Sequence, residues 1–297
     1  MFSILILTKN EEANIGACLE SVSCCDDVLV LDSGSTDRTC EIAAAASARI
    51  LQRDFDDFGS QRNYALDHGQ FKHNWVFHLD ADERFNEALR LECEEVIAKD
   101  ERSAYFVANR IIFLGRWIKH SSQYPYPQVR LVKMGEARFA KSGHGQREDA
   151  PQRGAGYLRT PYDHFNFSKG IADWVNRHNR YSSEEAAEAA ALCEGPVPLR
   201  GVFSGDSLAR KRALKRLHAR LPARWLWKFF FLYVWKRGFL DGYPGFAYCV
   251  LNGFYDFLIT VKIAERKAET SRWIAGGSQT SGWPPGPSSS ARPGLRP

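Results

Sequence analysis

The chain has 297 residues, of which 44% are hydrophobic and 25% charged, and its net charge is +5. This composition excludes a chain that is disordered over most of its length, and the length fits one large domain or one domain with an appendage. The charge is segregated, because ten Lys and Arg and no Asp or Glu lie between Leu208 and Leu240. Such a basic stretch usually faces an anionic partner.

The seven cysteines form neither a Cys-x-x-Cys pair nor a Cys/His metal ladder. We therefore expect a reducing compartment and no disulfide framework. The first residues, MFSILILTKNEE, lack the basic region and the cleavage site of a signal peptide, so we interpret them as a buried strand of a cytoplasmic protein.

Strands and helices alternate from Met1 to about Lys99. The predicted strands are the apolar runs Ser3–Leu7, Asp27–Leu31, Arg49–Gln52 and Trp75–Leu79. Four helices are predicted between and after these strands. The first starts near Asn10, and the second follows a cap at Thr36 or Asp37. The third runs from Ser60 to His68, and the fourth follows a cap at Asn86 and ends near Lys99. This order predicts an α/β fold with a mixed, mainly parallel sheet flanked by helices, which binds ligands at the carboxyl ends of its strands.

The pattern changes after Ala104. AYFVANRIIFLG and QVRLVKMGEARFA predict strands, the second a hairpin that turns near Gly135, and a helix is predicted from Ser168 to Cys193. We divide the chain into a catalytic domain at 1–200, a basic and aromatic helical region at 201–268 and a disordered Gly/Pro/Ser-rich tail at 269–297.

Polar clusters follow three of the predicted strands, at Thr8–Glu12, Asp32–Asp37 and Asp80–Glu83. Taken singly, each fits a helix cap or a solvated turn. Paired carboxylates can hold a divalent cation that binds a diphosphate, and a carboxylate beside small residues can accept hydrogen bonds from a base or ribose. Independent caps need not converge on one edge, whereas a nucleotide pocket requires it. The three clusters together therefore indicate a nucleotide site.

The ordered series TKNEE, DSGSTDRT, SQRN (60–63) and HLDADE (78–83) resembles the motifs of family 2 glycosyltransferases, which have the Rossmann-like GT-A fold. Within that family the sequence is most similar to lipopolysaccharide-core glucosyltransferases and related cell-envelope transferases, and KRGFLDGYPG (236–245) strengthens the likeness. The resemblance covers roughly Met1 to Glu265. It implies an inverting transfer from a nucleotide sugar, a UDP-sugar by this likeness, with Mg²⁺ or Mn²⁺ on the diphosphate.

The resemblance also implies roles for individual residues. Donor binding is expected from the residues at the strand ends, which are Thr8, Asn10, Glu11, Asp32, Ser33, Gly34, Arg62, Asp80 and Ala81. Metal binding is expected from Asp82, with Asp80 and His164 as further ligands, although a lone His on an apolar strand is also typical of a structural residue.

An inverting transfer needs a general base that deprotonates the acceptor hydroxyl. The candidates lie in SGHGQRED at 142–149, and we interpret Glu148 as the base, with Asp149 and His144 as alternatives. The competing interpretation is a solvated loop carboxylate.

Two apolar runs lie near the C-terminus, eleven residues at Trp225–Trp235 and sixteen at Phe246–Val261. Neither reaches the ~20 residues of a spanning helix, and their indoles and neighbouring cations fit a helix in the membrane interface. We therefore expect a peripheral protein on the anionic inner face of the plasma membrane, with a lipid-linked or cell-envelope glycan acceptor. The alternative is a core helix packed on the catalytic domain. Nucleic acid is not expected as a partner, because stacking platforms space their aromatic residues.

Two other functions stay open. A sugar nucleotidyltransferase shares the sheet and the metal, but the Gly-rich loop that would hold a triphosphate is missing. A non-catalytic membrane-associated adaptor would not need the Asp80/Asp82 pair.

Overall fold

The computed structural model describes residues 1–122, 124–142, 145–149, 151–192, 205–206, 210, 213, 217 and 223–276. The strands in these ranges are β1 Ser3–Thr8, β2 Val28–Asp32, β3 Arg49–Gln52, β4 Trp75–Asp80, β5 Glu83–Arg84, β6 Ala104–Phe113, β7 Arg116–Trp117, β8 Pro127–Lys133, β9 Arg138–Ser142, β10 Gly145–Asp149, β11 Ala155–Tyr157 and β12 Tyr162–His164. The helices are α1 Glu12–Ser21, α2 Thr39–Ala45, α3 Phe58–His68, α4 Glu87–Lys99, α5 Gly170–Leu192, α6 Arg224–Phe230 and α7 Gly242–Gly276, with a π-helical turn at Phe231–Trp235 and a 3₁₀ turn at Gly238–Asp241.

The central sheet has the strand order β3-β2-β1-β4-β8-β6-β12-β5, and β7 and β11 also pair with β6. β1 is parallel to β2 and β4, and β2 is parallel to β3. β8 is antiparallel to both of its neighbours, β4 and β6, whereas β12 is parallel to β6. The structure therefore confirms the mixed sheet flanked by helices, which is the architecture that the GT-A fold implies.

Apolar side chains are buried on both faces of this sheet. Ile4 and Ile6 of β1 belong to the cluster that includes Ile15 of α1, whereas Leu5 between them belongs to the cluster that includes Leu66 of α3. Because successive side chains of a strand point to opposite faces, a strand covered on both faces reads as a continuous apolar run. This explains why SILILT carries no polar alternation.

The predicted hairpin at Gly135 is wrong. The chain does turn there, with φ +75 at Gly135, but β8 pairs with β4 and β6, and β9 pairs with β10 in a separate two-stranded sheet. The reason is that β8 lies between two other strands, so it has no free edge that β9 could join.

Two of the predicted helix starts have different outcomes. The start at Asn86 is confirmed, because its side chain accepts a hydrogen bond from the N–H of Leu89 at 3.0 Å and α4 ends at Lys99. The residue before α2 is Arg38 rather than Thr36 or Asp37. Asp37 instead accepts from the N–H groups of Thr39 and Glu12, so it joins the starts of α1 and α2.

The C-terminal helices pack on one another, with α7 lying along α5 and α6. In the part of the chain that the structure describes, one segment, Gly238–Ala268, is long and apolar enough to cross a membrane, by criteria that core helices of soluble proteins also meet. Most of the basic segment 208–221 lies outside the described residues. The predicted tail overlaps the last turns of α7, which is helical to Gly276, and the rest of that tail lies outside the described residues too.

Asp27 links β1, β3 and the residues before β4 at the amino-terminal edge of the sheet. Its buried carboxylate accepts from Ser3 Oγ at 2.5 Å, the N–H of Lys72 at 2.8 Å and Arg49 Nη2 at 2.8 Å. Burial alone would raise the pKa of Asp27, but these donors together lower it below its usual value. The ionised form is therefore the form that stabilises the fold.

We predict that Asp27→Asn lowers the free energy of unfolding at neutral pH by about 2 kcal/mol, because buried donors lose a charged acceptor. The folded-state pKa is depressed, so the contribution is present above the unfolded pKa of about 3.9 and is lost as the pH falls. Urea titrations at neutral and acidic pH measure this. The wild type should lose more stability on acidification than the variant does, and the exposed Glu20→Gln is the control. Equal acid sensitivity of wild type and variant would contradict the assignment.

Candidate functional site

The polar clusters meet at the carboxyl edge of the parallel strands. In the register of the sheet Thr8 lies beside Asp32, and Leu7 lies beside Asp80. Thr8 donates its hydroxyl to Asp32 Oδ1 at 3.1 Å. The convergence predicted from the sequence is therefore present in the described residues.

Hydrogen bonds join the loop after β1 to the loop after β2. Asn10 has a left-handed backbone (φ +55), which Asn tolerates well. Its N–H donates to Ser35 Oγ at 2.8 Å, and its side-chain oxygen accepts from the N–H of Thr36 at 2.8 Å. The N–H of Glu11 donates to Thr39 Oγ1 at 2.7 Å. The two loops therefore form one continuous wall of the site.

Asp32 organises this wall. Its buried carboxylate accepts from the N–H groups of Gly34 at 3.0 Å and Ser35 at 2.9 Å, and from the hydroxyls of Thr8 and Ser35. Gly34 has φ +78, a conformation that side chains other than glycine rarely adopt, and the space beside it is open. Ser33 is buried and its N–H donates to Thr8 O. Direct contact of Asp32, Ser33 or Gly34 with a donor stays a prediction.

Asp80 lies between two buried arginines. Arg62 Nη2 is 2.9 Å from Asp80 Oδ1, and Arg130 Nη2 is 3.3 Å from Asp80 Oδ2. Burial alone would raise the pKa of Asp80, but the charges of Arg130 and Arg62 lower it below its usual value. The structure therefore places Arg62, which was expected to bind the donor, against the carboxylate of Asp80.

Arg130 also binds groups beyond Asp80. Its guanidinium contacts Glu83 Oε1 at 2.6 Å and donates to the Tyr162 hydroxyl at 3.0 Å. Glu83 accepts from the N–H of Asp80 at 2.8 Å, and its burial raises its pKa to about 7. Arg130 was missed at the level of sequence, where the only signal is one cation within the apolar strand QVRLVK.

Asp82 and His164 form the second charged pair. His164 Nε2 lies 3.3 Å from Asp82 Oδ2, and the N–H of Phe165 donates to Asp82 O at 2.8 Å. Burial opposes both charges, yet their attraction lowers the pKa of Asp82 to about 2 and raises that of His164 to about 9. Ala81 between the two aspartates is buried and its carbonyl accepts from Arg84. The structure thus joins Asp82 to a residue 82 positions away.

Glu11 lies close enough to Asp82 for the two charges to interact. Burial raises the pKa of Glu11, and the negative charge of Asp82 adds to this effect against the lowering by Asn14 and Lys169. Lys169 Nζ contacts Glu11 Oε1 at 2.5 Å and donates to Asn10 O at 2.8 Å. Lys169 was not foreseen from the sequence, since only the turn after β12 brings it to this wall.

The side chains present fit a divalent cation with two protein ligands. Asp82 offers a carboxylate, and His164 beside it offers Nε2 once a bound cation replaces the proton that the pair holds. Mg²⁺ commonly takes its other ligands from substrate phosphates and water. Asp80 faces the arginines instead. Within the described ranges no group of three His, Cys, Asp or Glu side chains is arranged around a common point.

The candidate bases Glu148 and Asp149 lie in β10, and His144 lies outside the described residues. Glu148 is the register partner of Phe139 in β9. Phe139 in turn exchanges two hydrogen bonds with Asn63 of α3, and its ring lies 5.8 Å from the Arg62 guanidinium. The hairpin is thereby fixed beside the carboxylate site, and the role of Glu148 stays a prediction.

Residues 3–165 match the family described as Glycosyl transferase family 2. Lipopolysaccharide core biosynthesis glycosyltransferase LpsC of Rhizobium meliloti (strain 1021) is 27% identical over 277 residues, which are 91% of this chain and 94% of that protein. Uncharacterized glycosyltransferase RT0209 of Rickettsia typhi is 25% identical over 285 residues, 92% of this chain and 90% of that protein. The structure of S. aureus TarS 1-349 in complex with UDP-GlcNAc is 16% identical and covers 90% of this chain and 92% of its own, with a TM-score of 0.42.

We predict that Arg130→Met lowers the free energy of unfolding by about 3 kcal/mol or more, because it leaves Glu83 and Asp80 without their shared cation. Guanidinium denaturation followed by circular dichroism measures the change. Arg38→Met, which removes an exposed ion pair with Glu41, should leave the stability close to that of the wild type. Equal effects of the two substitutions would contradict a buried ionic centre.

Proposed function

This chain belongs to glycosyl transferase family 2 and is a glycosyltransferase, and we propose that it transfers a sugar with inversion from a UDP-sugar to a lipid-linked or cell-envelope glycan acceptor. One observation carries the proposal. Glu11, Asp32, Asp80 and Asp82 lie along a single edge of the sheet, next to cationic groups that could balance a diphosphate. The uridine part of the donor rests on the sequence resemblance.

The walls of the site suggest how the donor would be held. The joined loops around Asn10 and Asp32 would bind the nucleoside, and the diphosphate would lie toward Asp82 and His164. These two residues would hold Mg²⁺ or Mn²⁺, which when bound neutralises charge on the leaving diphosphate. Arg62 and Arg130 keep Asp80 ionised and fixed in position.

The acceptor would approach from the side of the β9–β10 hairpin. Glu148 would take the proton from the acceptor hydroxyl as that oxygen attacks the anomeric carbon, and the bond to the diphosphate breaks on the opposite face. The register of Glu148 with Phe139, which contacts Arg62, supports this position for the base. Asp149 is the alternative base on the same strand.

We predict that Asp82→Ala and Glu148→Gln each lower release of UDP from a UDP-sugar in the presence of acceptor membranes by about 100-fold or more. Thermal unfolding with UDP separates the two roles, because a ligand that binds the native state raises the melting temperature. Mn²⁺ should increase the shift by UDP in the wild type and in Glu148→Gln, but not in Asp82→Ala. The exposed Glu95→Gln is the matched control. Normal turnover in either variant would remove that residue from its role.

An exposed apolar surface supports the membrane part of the proposal. On α6 and the π-helical turn its members are Trp227, Phe230, Val234 and Trp235. On α7 they recur at helical spacing, at Tyr243, Phe246, Val250, Phe254, Phe257 and Val261. Trp235 is 80% exposed and Tyr243 is 72% exposed, which is unusual for such large rings unless a partner covers them. We call these ten side chains the apolar surface.

Polar contacts on the opposite face of α7 favour a position of this helix on the membrane surface rather than across the membrane. Tyr255 donates to Glu185 of α5 at 2.8 Å, and Lys262 Nζ lies 2.7 Å from Asn179 Oδ1. Asp256 lies 3.6 Å from Arg224 of α6. A spanning α7 would separate these polar groups from their partners in hydrocarbon, at a cost of several kcal/mol each. The ten cations between Leu208 and Leu240 suit an anionic surface.

We predict that the protein floats with vesicles of phosphatidylcholine containing about 30% phosphatidylglycerol, and much less with phosphatidylcholine alone. Trp227→Glu with Trp235→Glu should abolish flotation, because it places charge where indoles would enter the interface. The control is Phe55→Glu, because Phe55 is also exposed and lies far from this surface in sequence. Indifference of the wild type to anionic vesicles would refute peripheral attachment.

A further inference from the structure

The segment Arg116–Ser121 lies on the rim of the candidate site. The N–H of Ile118 donates to Ile111 O at 2.9 Å, and Ile111 is the register partner of His164 on its other side. Two strand spacings, roughly 10 Å, therefore separate this segment from a candidate metal ligand. β7 and the residues after it fold back from the carboxyl end of β6, which is the same edge at which the polar clusters meet.

Asp241 fixes this segment from the side of the C-terminal helices. Its side chain is 3% exposed, and Oδ2 accepts from the N–H groups of His120 and Ser121 and from Ser121 Oγ, each at 3.0 Å. The His120 ring donates to Oδ1 through Nδ1 at 2.7 Å. The ring is therefore held in one orientation, with its Nε2 on the side away from the carboxylate.

The glycines of the motif KRGFLDGYPG pack closely against Asp241 and the residues around it. A Cβ on Gly238 would lie 2.8 Å from Leu232 O and 3.0 Å from Ser121 Cβ, and a Cβ on Gly245 would lie 2.4 Å from Asp241 Cβ. Gly242 has φ +69, which glycine adopts without strain. The glycines of the motif thus allow close packing around Asp241, whose carboxylate accepts hydrogen bonds from His120 and Ser121.

Four cations of the His120 segment and of the motif KRGFLDGYPG have no carboxylate partner in the described part of the chain. Arg116 donates to Leu240 O at 3.1 Å, and Lys119 lies 5.4 Å from the Trp117 ring. Lys236 and Arg237 are exposed in the same motif as Asp241. No described residue bonds to Nε2 of His120, whose side chain is 32% exposed. A ring that donates through Nδ1 to a carboxylate can also donate through Nε2 once it takes up a proton.

We propose that His120, oriented by Asp241, binds the sugar acceptor at a phosphate or carboxylate group near the accepting hydroxyl, so that the acceptor is an anionic glycolipid. The inference rests on the proposed function, and it assigns the acceptor side of that site. His120 makes the contact, Asp241 is a positioning residue, and Lys119 adds charge for the anion. The cations between Leu208 and Leu240 would then bind the lipid surface, whereas Lys119 would bind the acceptor.

The test compares acceptor use with donor use in nonionic detergent, where no lipid headgroup competes. The acceptor probe is the glycolipid fraction of membranes from a strain that lacks this gene, and the donor probe is radiolabelled UDP-glucose. Transfer is measured against the amount of glycolipid, and glucose release without acceptor and UDP affinity are measured beside it. His73→Ala is the matched control, because His73 also pairs with an aspartate, Asp26 at 2.7 Å, but at the amino edge of the sheet.

We expect His120→Ala to raise the half-saturating amount of glycolipid about tenfold or more, because a charge-assisted hydrogen bond is lost. UDP affinity and acceptor-independent glucose release should stay within about twofold of the wild type. Asp241→Asn should act in the same direction and add little to His120→Ala, since it acts through that ring. Lys119→Gln should raise the half-saturating amount of glycolipid, whereas Lys119→Arg, which keeps the positive charge, should leave that amount close to the wild-type value.

A half-saturating amount of glycolipid that is unchanged in His120→Ala would overturn the inference. An equal rise of that amount in His73→Ala would overturn it as well. A matching loss of UDP affinity would overturn it too, because the residue would then support the donor site or the fold. An unchanged requirement in Lys119→Gln would overturn the anionic character of the acceptor. A wild type that neither binds UDP nor releases glucose would refute the proposed function, and this inference with it.

Discussion

The parallel register of β1 with β2 and β4 is the constraint on which the rest of the molecule depends. It places Thr8 beside Asp32, and Asp80 beside Leu7, at the carboxyl edge of the sheet. Both faces of these strands are buried, so a shift by one residue would exchange the two apolar faces and separate the polar ends. Packing of the core therefore determines where the chemistry can occur.

Bringing carboxylates together at one edge has an electrostatic cost, and the structure offsets it with cations from other elements. Arg62 comes from α3 and Arg130 from the antiparallel β8, and both are buried against Asp80. His164 from β12 and Lys169 after it pair with Asp82 and Glu11. Asp80, Asp82 and Glu11 thus each pair with a cation from a distant part of the chain. A bound diphosphate would enter a site whose charges are already fixed in position.

The sequence allowed the strands, the ends of α4 and the meeting of the polar clusters to be predicted, because these depend on local patterns of apolar residues and caps. It did not reveal Arg130 or Lys169, since their positions depend on β8 joining β4 and on the turn after β12. The hairpin at Gly135 was predicted wrongly for the same reason. A turn residue marks where a chain reverses, but which strands then pair is decided by the whole sheet.

The motif KRGFLDGYPG shows how a sequence signature can be recognised before its physical role is understood. In the structure its glycines allow close packing around Asp241, which contacts His120 and Ser121. The motif therefore connects the helices that carry the apolar surface with the rim of the carboxylate site. This connection would suit the proposed membrane-held acceptor, because the apolar surface and the site then keep a fixed relation.

A crystal structure of the protein with UDP and Mn²⁺ tests the central claim most directly. We expect the nucleotide at the carboxyl edge of β1, β2 and β4, with its diphosphate and the ion against Asp82 and His164. A nucleotide bound elsewhere on the protein, or an ion bound away from Asp82, would contradict it.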